Sequence, residues 1–173
     1  MAKTNTEKQQ KLSHDELKRQ LHYNPDTGKF TWLVSKKGVR KGKIAGSKIK
    51  TTGYMRVKIN FTEYHLHRLA WFYMTGAWPI KHIDHINGIK DDNRFHNLRE
   101  ADNSQNKFNT VMYRTNSIGY KGVTYCKRRK KYLSQICIMY KQINLGYFDD
   151  PKEAHEAYKK KALEVAGQYA RWE

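Results

Sequence analysis

Two long stretches of this chain contain no acidic residue. Between Asp26 and Glu63, ten residues are Lys or Arg and none is Asp or Glu. Between Asp102 and Asp149 acids are again absent, and Lys127-Arg128-Arg129-Lys130-Lys131 form a continuous basic run. Like charges at this density repel one another, so such stretches fold only as small elements that keep one face in water or against a polyanion. Of the net charge of +18, residues 1–66 supply fifteen basic against five acidic groups, residues 67–107 six against five, and residues 108–173 thirteen against six. A nearly neutral centre between two basic flanks therefore divides the 173 residues into small modules rather than one large core. Solvated lysine faces explain an isolated charge run. Two acid-free stretches around an acid-containing centre favour a polyanionic partner, because each Lys or Arg set on a phosphate releases counterions.

Composition removes several alternatives. The aromatic content of 13% argues against wholesale disorder. No run of eighteen apolar residues occurs, so no transmembrane helix is expected, and no Lys-rich amphipathic helix points to a membrane surface. The first thirty residues lack an apolar secretory segment. Cys126 and Cys137 make neither a disulfide framework nor a zinc-finger spacing. These features lead to the expectation of a soluble protein of a reducing compartment whose partner is a nucleic acid rather than a membrane.

Local patterns place the elements. Residues 1–12 read as a frayed tail. Ser13 and Glu16 form a capping-box pattern opening a short helix through Leu21. Tyr23-Asn24-Pro25-Asp26-Thr27-Gly28 is turn-rich, and Phe30 to Trp32 alternates as a strand. Gly38, Gly42 and Gly46 punctuate a basic loop. Tyr54 to Ile59 alternates apolar and basic residues, a strand with Arg56 and Lys58 on its outer face. His67 to Met74 reads as a buried helix stopped by Gly76 and Pro79. His82 to Ile86 and Leu98 to Ala101 read as strands around the Asn87-Gly88 turn. Asp102 or Asn103 caps a helix carrying Ser104 to Asn109. Residues 109–118 read as a link. Three short strands follow, Gly122 to Tyr125, Tyr132 to Met139 and Ile143 to Phe148. A final helix opens at Pro151, with Ala154, Ala157, Tyr158, Ala162 and Val165 at helical spacing.

The chemistry concentrates in His82-Ile83-Asp84-His85-Ile86-Asn87-Gly88, with Asn93, Asn97 and Asn106 beyond it. Adjacent Asp84 and His85 on a strand point to opposite faces. The aspartate is a hard oxygen ligand suited to Mg²⁺ or Mn²⁺, and a neutral imidazole is a suitable general base near pH 7. An asparagine on a following helix completes such a site through its carbonyl oxygen. On spacing alone an Asp-His pair is more often a surface hydrogen-bonding pair. His82 is open to a third ligand role or, more simply, to hydrogen bonding or phosphate contact. His67 is open to a structural place in its helix or to DNA contact.

Asp84-His85-Ile86-Asn87-Gly88, Asp92-Asn93, Asn97-Leu98 and Ser104-Gln105-Asn106, led by His67-Arg68-Leu69-Ala70-Trp71, resemble the HNH nucleases in order and spacing, specifically the phage and intron homing-endonuclease branch. The resemblance spans about residues 65–109. It implies an α+β chain with a ββα-metal core around one divalent ion, Mg²⁺ or Mn²⁺. It implies Asp84 and Asn106 as metal ligands and His85 as the base that activates water. Asn97 would hold the loop together and keep His85 oriented.

The flanks carry two further resemblances. Gly119-Tyr120-Lys121-Gly122-Val123, Leu145-Gly146-Tyr147-Phe148 and Glu153-Ala154-His155-Glu156-Ala157-Tyr158 resemble the APETALA-type (ethylene-response-factor) DNA-binding domain, over about residues 118–171. This implies a three-stranded antiparallel sheet on the final helix, with the sheet entering the major groove. Lys121, Thr124, Gln135, Cys137, Gln142 and Asn144 fall where that family contacts bases. Gln and Asn read adenine bidentately and Thr meets the thymine methyl. Lys127, Arg128, Arg129, Lys130 and Lys131 form the turn between the first two strands and track phosphate. Residues 13–64, through Tyr23 to Trp32, resemble the N-terminal module seen before such nuclease cores. There Arg40, Lys41, Lys43, Lys48, Lys50, Arg56 and Lys58 suggest a second DNA clamp, against the alternative of a supporting sheet.

The sequence thus reads as a tail (1–12), a small basic α/β module (13–64), an HNH core (65–109), a linker (110–118) and a DNA-binding domain (119–173). The expected activity is metal-dependent phosphodiester hydrolysis of DNA, a monomer nicking one strand per site or a dimer cutting both. The resemblances imply double-stranded DNA as the partner and a cytoplasmic protein, in the host cytoplasm if phage-encoded. The alternatives are a DNA-binding regulator with an inactive nuclease core and an RNA-binding protein. The second lacks a ribonucleoprotein-like strand motif.

Overall fold

The computed structural model describes residues 11–110, 116–139 and 141–171. Most of the tail and part of the linker read from the sequence lie outside the described residues. The chain forms two compact units, one through Glu100 and one from Ala101.

The first unit opens with α1 (His14–Gln20), whose N-cap Ser13 accepts a hydrogen bond from the Glu16 amide. The helix ends one residue earlier than its sequence pattern suggests, because Leu21 begins β1 (Leu21–Asn24). β1 pairs antiparallel with β2 (Lys29–Trp32). Their turn is set by Asn24, whose Oδ1 accepts from the amides of Asp26 and Thr27 at 3.0 Å each. Two short strands, β3 (Ile44–Ala45) and β4 (Ser47–Lys48), attach to different sheets. β5 (Met55–Ile59) buries Val57 and Ile59 and exposes Arg56 and Lys58, as its alternation dictates. β6 (Thr62–His65) returns beside it and leads into α2 (Leu66–Thr75), which Gly76 closes in a left-handed cap. β7 (His82–His85) and β8 (Leu98–Ala101) make a two-stranded sheet.

The packing differs from the sequence-based division at residue 64. Leu17, Leu21 and Phe30 from the N-terminal segment share one buried cluster with Leu69, Phe72, Ile83 and Leu98. Residues on both sides of position 64 thus form one hydrophobic body. Each small sheet has too little apolar area to stand alone and buries its inner face against the same α2.

The second unit begins with α3 (Asn103–Phe108). Asp102 caps it in a reciprocal box with Gln105. β9 (Val123–Cys126), β10 (Lys131–Ile138) and β11 (Lys141–Phe148) form an antiparallel sheet in the order β11-β10-β9. α4 (Pro151–Ala166) covers one face, burying Ala154, Tyr158 and Ala162 in a cluster with Phe108 and Ile136 or beside it. Gly122 is fixed by this packing: a Cβ there would stand 2.1 Å from the Tyr158 ring.

Candidate active site

β7 alternates in burial. Ile83 and His85 point inward, while His82 is exposed and Asp84 half-buried. The Ile86 amide donates to the Asn97 carbonyl at 2.9 Å, a register that sets residue 84 opposite residue 99 across the sheet. Asp84 Oδ2 accepts from Arg99 Nε at 3.0 Å and from Arg99 Nη2 at 2.9 Å. Both side chains are only 12% exposed, so this ion pair is partly shielded from water and salt. Arg99 is absent from the sequence-based site. A cross-strand charge partner shows itself only once the register of the β7–β8 hairpin is known.

His85 is held by Asn93, not by Asn97. Its Nε2 lies 3.3 Å from Asn93 Oδ1. The Asn93 amide nitrogen donates to the Asp91 carbonyl at 3.2 Å, which turns its oxygen toward the imidazole. Nε2 is therefore the protonated nitrogen, and Nδ1 carries the basic lone pair. Burial lowers the His85 pKa below its ordinary value, opposed by the Asn93 bond and by the carboxylates of Asp84, Asp92 and Asp91. The net direction keeps the ring neutral, as a base requires.

Asn97 acts on the loop instead. Its Oδ1 accepts from the Asn87 amide at 3.0 Å, and its Nδ2 donates to Asn87 Oδ1 at 3.0 Å and to the Asp92 carbonyl at 2.8 Å. Asn87 Nδ2 donates to Asp92 Oδ2 at 2.7 Å. The Arg94 guanidinium on Asp92 holds that carboxyl down at about 2, so it stays ionised. The three bonds of Asn97 tie together the loop that flanks His85, while the direct contact to the imidazole comes from Asn93.

The N-terminal hairpin supports the same loop. Tyr23 Oη donates to the Asn93 carbonyl at 2.6 Å, and the Phe95 amide donates to the Pro25 carbonyl at 3.0 Å. Gly28, at φ +69°, lies so close that a Cβ would meet the Arg94 nitrogen and the Asn93 carbonyl carbon at 2.5 Å each. The Tyr-Asn-Pro-Asp-Thr-Gly stretch is therefore a buttress of the loop that orients His85. On the other side of His85 stand Tyr54, its ring centroid 5.9 Å away, and buried His67, edge-on at 5.2 Å. Burial and the neighbouring His85, His65 and Arg68 hold the His67 pKa well below the ordinary range. A protonated, DNA-contacting His67 does not fit that setting.

Asn106 lies on α3, in the second unit, and is half-buried. Among the described residues no group of three or more His, Cys, Asp or Glu is arranged to hold a metal. The Asp84 carboxylate is a ligand that suits a hard ion of the Mg²⁺ type, which keeps most of its waters and takes further ligands from substrate phosphate. Any cation on Asp84 shares that carboxylate with Arg99.

In the second unit Val123, Ser134 and Ile136 face inward, so Thr124, Gln135 and Cys137 face the opposite way. The register sets Gln135 beside Asn144 and Cys137 beside Gln142. The structure thus brings Thr124, Gln135, Gln142 and Asn144 onto the one face free of α4, where Thr124, Gln135 and Gln142 line a shallow open groove. Asn144 Oδ1 already accepts from the Gly146 amide at 2.8 Å. Lys127, Arg128, Arg129 and Lys130 are exposed on the β9–β10 turn. Arg129 lies over the Tyr147 ring at 4.5 Å, and Lys131 pairs with Asp149 at 2.9 Å.

Lys121 does not reach this face. Its Nζ donates to the carbonyls of Phe108, Thr110 and Arg171 at 2.8, 2.7 and 2.6 Å. Burial brings its pKa down to about 8. The sequence-based assignment of Lys121 to DNA is corrected: its ammonium closes α3 and the chain end onto β9. Arg40, Lys41, Lys43 and Lys58 are exposed, and Arg56 pairs with Glu63 at 3.1 Å.

Residues 64–108 match the family model for HNH endonuclease. The match covers about a quarter of the 173 residues and supports a DNA nuclease of the HNH kind. Comparison with the curated proteins finds no match, and neither does comparison with the solved structures. Among the described residues no helix is long and apolar enough to cross a membrane.

Proposed function

We propose that this protein is a divalent-metal-dependent DNA endonuclease of the homing type, nicking one strand per active site. One observation carries the reading: within the HNH-matching segment, His85 is buried, neutral and polarised by Asn93, with Asp84 on the opposite face of the same strand. His85 Nδ1 takes a proton from water, and the water oxygen attacks phosphorus in line. The P–O3′ bond breaks, and the departing 3′ oxygen takes its proton from solvent. Asn93 fixes the ring during the transfer, and the acidic groups around the loop stabilise the imidazolium that forms. Asp84 would hold the ion, which would supply Lewis-acid charge to the scissile phosphate and the departing oxygen when bound. Arg99 screens the Asp84 carboxylate.

The second unit is the anchor. The polar face of β9, β10 and β11 reads the major groove in the manner of an APETALA-type domain through Thr124, Gln135 and Gln142. The Lys127–Lys130 turn tracks phosphate. The exposed Arg40, Lys41, Lys43 and Lys58 of the first unit add sequence-independent affinity.

Cleavage of DNA in Mg²⁺ or Mn²⁺ that stops in EDTA and in His85→Ala is the expected result. The rival reading, a regulator with an inactive core, draws on the Arg99–Asp84 ion pair, which occupies the carboxylate a metal needs. Tight DNA binding with no cleavage in any divalent metal, unchanged by His85→Ala, would establish that reading instead.

A further inference from the structure

We propose that Phe61 is a wedge that enters a base step of duplex DNA. It stands at the tip of the β5–β6 hairpin, where Ile59 pairs with Thr62 and only Asn60 and Phe61 make the turn. Both take left-handed φ, 45° and 64°. A two-residue turn of this shape suits Asn followed by Gly, and a Cβ at the second position is strained. The fold gives the phenyl ring nothing in return, since Phe61 is 95% exposed. A lone exposed apolar side chain needs no explanation. Exposure combined with backbone strain imposes two costs on the folded state that no contact offsets, and strain of this kind collects at functional contacts.

The tip is braced while the ring projects. Asn60 Oδ1 accepts from Gln20 Nε2 at 3.1 Å, and Asn60 Nδ2 donates to Glu16 Oε1 at 3.4 Å, so α1 fixes the turn. Charge selects the occupant. Phe61 lies at the end of the acid-free stretch that holds ten Lys or Arg, with Lys58 exposed on β5 just before the turn. The carboxylates of the adjoining elements are paired, Glu63 with Arg56 and Glu16 with Arg19. A braced, apolar projection at the end of a basic stretch matches the side chains that unstack a base step from the groove. Residue 61 is seven positions from Tyr54, the neighbour of His85, or about 20 Å along an extended strand. The wedge would therefore act within the footprint of the same cleavage complex, and the proposal rests on the DNA reading above.

The test uses the full chain in EDTA with duplex oligonucleotides carrying 2-aminopurine at successive positions. Phe61→Gly relieves the turn, so its melting temperature should equal or exceed that of the wild type. The wild type should raise 2-aminopurine fluorescence at one step. Phe61→Gly should lose that rise and bind about tenfold more weakly, with an unchanged salt slope because the ring carries no charge. Equal affinity and equal fluorescence for the two proteins would overturn the wedge. So would wild-type binding that brightens no position, or a Phe61→Gly effect confined to the sedimentation mass, which would mark a self-association face. Wild-type protein that binds and unstacks DNA but never cuts it in metal would keep the wedge and remove the nuclease reading. Failure to bind DNA at all would remove both.

Discussion

Asn93 decides which nitrogen of His85 is basic, and Tyr23 holds Asn93. Burial pushes the Tyr23 phenol well above its ordinary range, so it remains a donor to the Asn93 carbonyl at any working pH. Tyr23→Phe removes that donor and leaves a buried carbonyl unpaired, a loss of about 1–3 kcal/mol. We expect a folded protein whose cleavage rate falls severalfold while its DNA affinity is kept. Urea unfolding beside single-turnover kinetics checks this, and an unchanged rate would detach the N-terminal hairpin from catalysis. Arg99 calls for a separate experiment. Removing its charge leaves Asp84 a better cation site but a poorer structural partner. Arg99→Gln should bind Mn²⁺ severalfold more tightly, read by electron paramagnetic resonance, while losing roughly 1–3 kcal/mol of stability with the charged hydrogen bonds. Weaker Mn²⁺ binding would show that Arg99 shapes the carboxylate rather than competing for it.

Elements differ in how far the sequence reveals them. The Ser13 cap, the alternation of β5, the helix after His65 and the cap before α3 were legible because their causes lie within a few residues. The strand that carries Asp84 and His85 was legible for the same reason, whereas the roles expected of the two residues come from the family resemblance. The pairing of Asp84 with Arg99, the seventy-residue link from Tyr23 to Asn93 and the inward Lys121 depend on contacts between distant segments, which no local pattern encodes. The two-residue strands β3 and β4 are too short to alternate. Gly28 shows how such a distant contact constrains one turn: Gly28→Ala combines a left-handed φ with contacts at 2.5 Å to the Asn93–Arg94 backbone. It should cost more than about 2 kcal/mol and displace the His85 loop, seen as line broadening of the His85 ring signals. Lys121 makes the matching case in the second unit. Lys121→Met leaves three carbonyls without their donor and should lower the melting temperature at neutral pH. Its folded pKa of about 8 lies below the ordinary 10.5, so between those values the unfolded chain binds more protons. Wild-type stability relative to Lys121→Met therefore rises as pH climbs through that window. A difference that stays flat would mean the ammonium is not buried.

At the scale of the whole chain, charge and chemistry are divided between different residues. The HNH-matching segment is close to neutral, while the flanks hold nearly all of the +18 excess. A carboxylate-dependent centre works on a polyanion only if other parts of the molecule supply the attraction, so affinity and turnover should separate under mutation. Within the basic run, Lys131 is paired with Asp149 and Arg129 is laid on Tyr147, so Lys127, Arg128 and Lys130 are the exposed cations on which the proposed phosphate contact is best tested. Replacing these three with Gln should reduce the slope of log affinity against log salt by about 2.7, three contacts at ~0.9 each. His85→Ala should leave the slope unchanged and abolish cleavage. Binding isotherms across a salt series, with cleavage measured at saturating protein, separate the two effects. If the triple variant keeps its slope, the second unit is not the phosphate anchor, and the cationic loop between β2 and β3 becomes the surface to neutralise next.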